Sequence, residues 1–161
     1  MFESNDKDAK KHFQKIIKKY PNSDYAIASE YYLGRIEVSN PPKSEKRLAK
    51  SQEKAINHFK NYLEKAPDGR FALKSIEEIL KLNKSLSNYD NLLIAKGYYA
   101  NGEFEKSKTF LNKTTLAESW SDFAKNEYKL GNKDKGNYYA ELGLKQHAGN
   151  TSQEDVYEVI D

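Results

Sequence analysis

The chain of 161 residues contains no cysteine, which excludes disulfides, thiolate-bound zinc and cysteine nucleophiles together. It has no run of about 18 apolar residues, the length a membrane-crossing helix needs. Its first residues, MFESNDKDAKK, lack the apolar core of a signal peptide. The short signatures of catalysis are missing as well: no glycine-rich phosphate loop, no HExxH and no GxSxG occur. Glu77 and Glu78 are sequence neighbours that a helix turns onto different faces, so they cannot share a site. No catalytic residue or metal ligand is therefore assigned, and no cofactor is expected. Proline is scarce, and all 4 residues fall at breaks between apolar segments, at Pro21, Pro41, Pro42 and Pro67.

What is present is repetition. Residues 9–29, AKKHFQKIIKKYPNSDYAIAS, realign without a gap on residues 55–75, AINHFKNYLEKAPDGRFALKS, at an offset of 46 residues. Seven of the 21 positions are identical, among them Ala9/Ala55, Phe13/Phe59, Pro21/Pro67 and Ala26/Ala72, and Ile17/Leu63 and Tyr25/Phe71 are conservative pairs. Self-similarity at a fixed period marks units that bury their apolar faces only by stacking on neighbours, so the fold class expected is all-α, an α-solenoid of helical hairpins. The charged fraction is 32% and the hydrophobic fraction 37%, but the apolar residues recur at helical spacing and 12 tyrosines add large rings, which favours a folded chain over a disordered one.

The periodicity predicts a first helix from Asp6 or Asp8 to Tyr20, and a second from a Ser23 cap to Val38 with Tyr25, Ala28, Tyr32 and Ile36 inward and Leu33 beside them. A third should run from Ser44 to Ala66, its charged first turns projecting beyond the stack, and a fourth from Arg70 to Leu82. The polar segment Asn83 to Asn88 is the best internal joint. Shorter hairpins follow at residues 89–112 and 116–144, around Gly102 and Gly131, which sit where helix C-termini need a left-handed residue. A last helix is expected from Ser152 through Ile160. Residues 1–161 are read as one helical-repeat domain and as a fragment of a longer chain.

The net charge is +3, yet residues 1–87 carry 18 Lys/Arg against 12 Asp/Glu, and residues 88–161 carry 9 against 12. The basic first half can steer an anionic partner. Lys11 and Lys15, in the run with Lys10, Lys18 and Lys19, are candidate contacts for an anionic polymer, set against the plainer reading of a solvated helix face. Nucleic acid is not expected, because Phe13 and Tyr20 fall on the inward stripe instead of interleaving exposed rings with the charges. His12 and His58 occupy equivalent repeat positions without further ligands at metal-binding spacing, which favours packing. Tyrosine pairs recur at Tyr31-Tyr32, Tyr98-Tyr99 and Tyr138-Tyr139. Adjacent helical residues point about 100° apart, so one ring of each pair should enter the core. The other ring, read as Tyr31, Tyr99 and Tyr139, should face a groove. Trp120 is read as packing between repeats.

Leu33-Gly34, then Ala55, Phe59 and Pro67 at spacings of 4 and 8, resemble the tetratricopeptide repeat with an insertion at residues 40–50, and Tyr98, Gly102 and Phe104 resemble its helix–helix turn, with Ser107 where alanine is usual. Three phrases, YPNSDYA (20–26), GYYANGEFEKSKTFL (97–111) and AESWSDFAKNEYKLGNKDKGNYYAELGL (117–144), look like the superhelical, non-catalytic region of bacterial soluble lytic transglycosylases. That resemblance implies a periplasmic scaffold that positions peptidoglycan or a downstream catalytic domain. The family's catalytic domain follows its Glu-Ser pair with Gly-Leu-Met-Gln. Here Glu118-Ser119 is followed by Trp120, so the cutting residue is not expected in this chain. The alternative is a stand-alone, cytoplasmic adaptor that takes a peptide or partner protein in its concave groove.

Overall fold

The computed structural model describes residues 2–114 and 119–146. These residues form eight helices and no strand. The chain divides into two compact units, Met1–Ser85 and Leu86–Asp161, with the division falling inside the polar segment 83–88. The expected last helix and the segment His147 to Thr151 lie outside the described residues, as does Glu118.

The first unit holds α1 (Phe2–Lys19), α2 (Asp24–Ser39), α3 (Glu45–Lys65) and α4 (Ala72–Leu82). Each helix packs on the next in sequence. The stop at Pro21 works with a cap: the Ser23 side chain accepts from the N–H of Ala26 at 3.1 Å, satisfying a donor that the first turn of α2 leaves open. Asn40-Pro41-Pro42 then ends α2. In α3 residues 45–47, 49 and 50 are exposed and packing begins at Ser51, whose hydroxyl donates to the Glu37 carbonyl at 2.9 Å. Helix α4 starts two residues later than the periodicity predicts. The Tyr62 hydroxyl accepts the N–H of Phe71 at 3.1 Å, and the N–H of Ala72 bonds back to the Gly69 carbonyl, so residues 69–71 are held in a turn.

The buried face of α2 differs from the one expected. Ala26, Ser29, Glu30, Tyr31, Leu33 and Gly34 are buried, whereas Tyr25 is exposed. The face was hidden by its own polar members. The Ser29 hydroxyl returns to the Tyr25 carbonyl at 2.6 Å, and Glu30 takes a bond from His58 of α3 at 2.7 Å, so both are buried with partners inside the fold. A search for apolar period alone passes over them.

The second unit holds α5 (Asn88–Ala100), α6 (Phe104–Leu111), α7 (Trp120–Lys129) and α8 (Lys133–Gln146). Ser87 opens α5 with a reciprocal capping box to Asp90. Gly102 and Gly131 take φ of 77° and 83°, and in both turns the following N–H reaches back to the carbonyl five residues earlier, at 2.9 Å and 2.8 Å. The core gathers Leu92, Ala95, Leu111 and Phe123, with Phe110, Trp120 and Tyr139 packed around them. A buried polar chain crosses it. The Asn126 amide donates to the Ser107 hydroxyl at 3.0 Å, and that hydroxyl donates to the Ala95 carbonyl at 2.7 Å, tying α7, α6 and α5 together.

Candidate protein-interaction surface

The tyrosine pairs resolve differently from the expectation. Tyr31 is only 7% exposed and sits in the core of the first unit, stacked on Phe71 at 4.2 Å and 5° and tilted against Phe59 at 5.8 Å. It cannot face a ligand. Its neighbour Tyr32, 40% exposed, is the outward member and stacks on Phe13 of α1 at 5.4 Å. Tyr139 is half-buried within a stack with Phe123 and Trp120, at 5.0 Å and 5.9 Å, while Tyr138 is the exposed ring of that pair. Tyr98 and Tyr99 are both half-buried. Burial, and then the charge of Asp122, raise the Tyr99 phenol above its ordinary pKa. Trp120 packs between α7 and α8 through Phe123 and Tyr139.

Lys11 and Lys15 are exposed on α1. Lys10 turns the other way and pairs with Glu37 of α2 at 2.6 Å. Burial works to raise the Glu37 carboxyl, but the hydrogen bonds from Lys10 and Ser51 and the charges of Lys10 and Lys54 outweigh it, and the pKa lies below the ordinary value. The two repeat histidines part company. His58 is half-buried against Glu30, whereas His12 is exposed, so packing accounts for one of them alone. No group of three or more His, Cys, Asp or Glu side chains suited to a metal ion occurs among the described residues.

The first unit carries an apolar cavity of about 460 Å³ where the start of α2 meets the end of α3 and the turn into α4. Tyr25, Ile27, Ala28, Tyr62, Ala66 and Phe71 line it, with Asp24 and Arg70 as its charged members. The Arg70 guanidinium lies over the Phe71 ring at 4.8 Å. Tyr25 is 79% exposed, a large ring in water beside an apolar hollow. A second cleft, about 320 Å³, lies between α1 and α2, with Phe13, Tyr32 and Ile36 inside and Asp6 and Arg35 at its polar side. A cavity in the second unit, about 410 Å³, is lined by Gly131 to Lys135 and is polar. Sequence reasoning singled out neither Tyr25 nor Arg70 as a surface group. The Tyr25/Phe71 alignment pointed the other way, giving both rings the same inward place, whereas the Tyr31 ring stacks on Phe71 and leaves Tyr25 exposed.

The first unit thus offers two hollows with apolar walls and charged groups at their edges. A tetratricopeptide repeat family model matches residues 1–23, which span α1 and the turn to the Ser23 cap. No curated protein and no solved structure matches the chain. The match, the internal offset and the eight helices of the described residues support an all-α fold of tetratricopeptide-like helical repeat. Repeats of this kind point to protein partners. No helix among the described residues is long and apolar enough to cross a membrane.

Proposed function

We propose that this chain is an adaptor whose hairpins stack as an α-solenoid and whose first unit binds a protein segment by taking an apolar or aromatic side chain into the Tyr25–Phe71 cavity. The observation that carries this reading is the exposure of Tyr25 beside the hollow formed with Ala28, Ala66 and Phe71. An exposed tyrosine contributes contact area at small entropic cost, and such rings are frequent anchors of binding energy. Asp24 and Arg70 supply one charge of each sign, which suits the backbone or side chains of a peptide. The test is selection of peptides from a displayed library on the full chain, with counter-selection on Ala28→Trp, which fills the cavity. Selected peptides should share an apolar anchor and lose about tenfold or more in affinity on Tyr25→Ala, the loss of one interface hot spot. Equal binding to wild type and Ala28→Trp would reject the cavity as the site.

A second reading rests on the sequence phrases and on the exposed Lys11 and Lys15. It makes the chain a periplasmic scaffold of a lytic murein transglycosylase, contacting peptidoglycan. Co-sedimentation with purified peptidoglycan sacculi that is lost on Lys11→Glu and Lys15→Glu would favour it over the cytoplasmic adaptor; a protein left in the supernatant would remove it.

A further inference from the structure

The repeat supplies an internal control, because corresponding residues occur twice in different surroundings. In the second copy Ala55, Phe59, Tyr62 and Leu63 of α3 are buried, with α2 packed in front and α4 behind. In the first copy Ala9, Phe13, Ile16 and Ile17 hold the same positions on α1 and are only half-buried. Helix α2 packs behind α1 as α4 packs behind α3, but within the first unit α1 has no second strong helix pairing to match the one α3 makes with α2. The residues that follow register the difference most sharply: Phe71 is 8% exposed and its counterpart Tyr25 is 79% exposed.

The shape of what fits in front of α1 can be read from α2, which fills that place for α3. Toward α3, α2 presents the Tyr31 ring and the bare backbone of Gly34, against which the Phe59 ring lies. Beside this apolar row stands the Glu30 carboxylate, which accepts from His58 Nδ1 at 2.7 Å and from the Asn61 amide at 3.5 Å. Moved back by 46 residues, the groups that would meet such a carboxylate are His12 and Lys15. Both are exposed, and neither forms an ion pair among the described residues. Where the second copy offers an amide, the first offers a cation, so the first site prefers a carboxylate more strongly than the α2–α3 contact does.

We propose that the open side of α1 docks an amphipathic, acidic α-helix of a partner protein, its apolar stripe on Phe13 and Ile16 and a carboxylate next to an aromatic ring paired with Lys15 and His12. This deepens the adaptor reading and rests on it, adding a second contact that uses no residue of the cavity walls at Ala66, Arg70 and Phe71. The excess of 18 Lys/Arg over 12 Asp/Glu in residues 1–87 draws an acidic helix toward this unit. Recognition would follow the helix-in-groove mode, with anchors at three- and four-residue spacing.

The experiment titrates the full chain with a labelled synthetic peptide of the α2 sequence, DYAIASEYYLGRIEVS, and reads fluorescence anisotropy at low salt. Saturable binding is expected, weakened about fivefold by Lys15→Glu in the protein and by Glu30→Lys in the peptide, and restored when the two altered partners are combined. Binding that ignores Lys15→Glu but responds to Asn61→Lys would mean the peptide exchanges with α2 itself, and would overturn the proposal. So would the absence of binding, or self-association of the chain abolished by Lys15→Glu, which would make a second copy the occupant. If the α2 peptide fails while peptides selected on the Tyr25 cavity still bind, this inference falls and the adaptor reading stands.

Discussion

The Phe59 ring occupies the space that a side chain on Gly34 would need: a Cβ built on Gly34 falls 2.7 Å from the ring. Substituting alanine for glycine inside a helix ordinarily stabilises it by about 1 kcal/mol. Here the added methyl must displace a buried aromatic ring, at a cost of about 1–3 kcal/mol. Gly34→Ala should therefore lower the melting temperature of the first unit by several degrees. A thermal scan by circular dichroism checks it, and a melting point above wild type would mean that Phe59 moves aside freely.

Phe71 and Tyr25 hold the same repeat position with opposite exposure, so their truncation should separate packing from surface. Phe71→Ala empties a stack with Tyr31 and Tyr62 and should cost about 3 kcal/mol. Tyr25→Ala should change stability by no more than about 0.5 kcal/mol. Urea unfolding of the two variants gives both values, and equal losses would contradict the exposed position of Tyr25.

Ser107 stands where the repeat pattern usually has alanine, yet its hydroxyl links the Asn126 amide to the Ala95 carbonyl. Removing it leaves buried polar groups short of partners, a penalty of about 1–3 kcal/mol. Ser107→Ala should destabilise the second unit in that range. Denaturation of Ser107→Ala, Asn126→Leu and the double variant should show coupling between the two positions, and additive losses would dissolve the proposed chain.

The Glu127 carboxylate is buried and pairs with Lys108 of α6 at 2.7 Å, and it also accepts from Asn132 at 2.7 Å. Burial pushes its pKa up, but those two hydrogen bonds and the charges of Lys108 and Lys135 bring it below 4.5. A carboxyl whose folded pKa is depressed stabilises the fold above its unfolded value and loses that contribution as pH falls through the folded one. Stability of the second unit should thus hold from neutral pH to about 4.5 and fall below it. Glu127→Gln should cost about 2 kcal/mol at pH 7 and flatten the acid limb. A pH series of chemical denaturation reads both; an unchanged acid limb would assign the loss to other carboxyls.

Much of this architecture was legible because it is written in covalent terms. Proline and glycine placed the breaks, so the ends of α2 and α3 fall within a residue or two of the expected ones, and Gly102 and Gly131 take the positive φ their positions demanded. The 46-residue offset aligned Phe13 with Phe59 before any packing was known. The inner face of α2 was not legible. Its burial depends on a hydrogen bond that Ser29 donates and one that Glu30 accepts, and a partner such as His58, 28 residues away, leaves no mark in local periodicity. The same gap explains the tyrosine pairs. A 100° step says that Tyr31 and Tyr32 diverge, but which one enters the core depends on where Phe71 arrives from the turn after α3. Charge alone did not separate Lys11 and Lys15, which are exposed, from Lys10, which pairs with Glu37, and the partner suggested for Lys15 came from comparing two copies in three dimensions.

The six strongest helix pairings among the described residues join elements that follow directly in sequence, α1 to α2 through α3 to α4 and α5 to α6 through α7 to α8. Such contacts close small loops, so the chain gives up little entropy before each new contact rewards it. Each unit should accordingly assemble in milliseconds or less, the range of domains dominated by local contacts. A nascent chain could fold hairpin by hairpin as it is made, with no need to wait for its distant end.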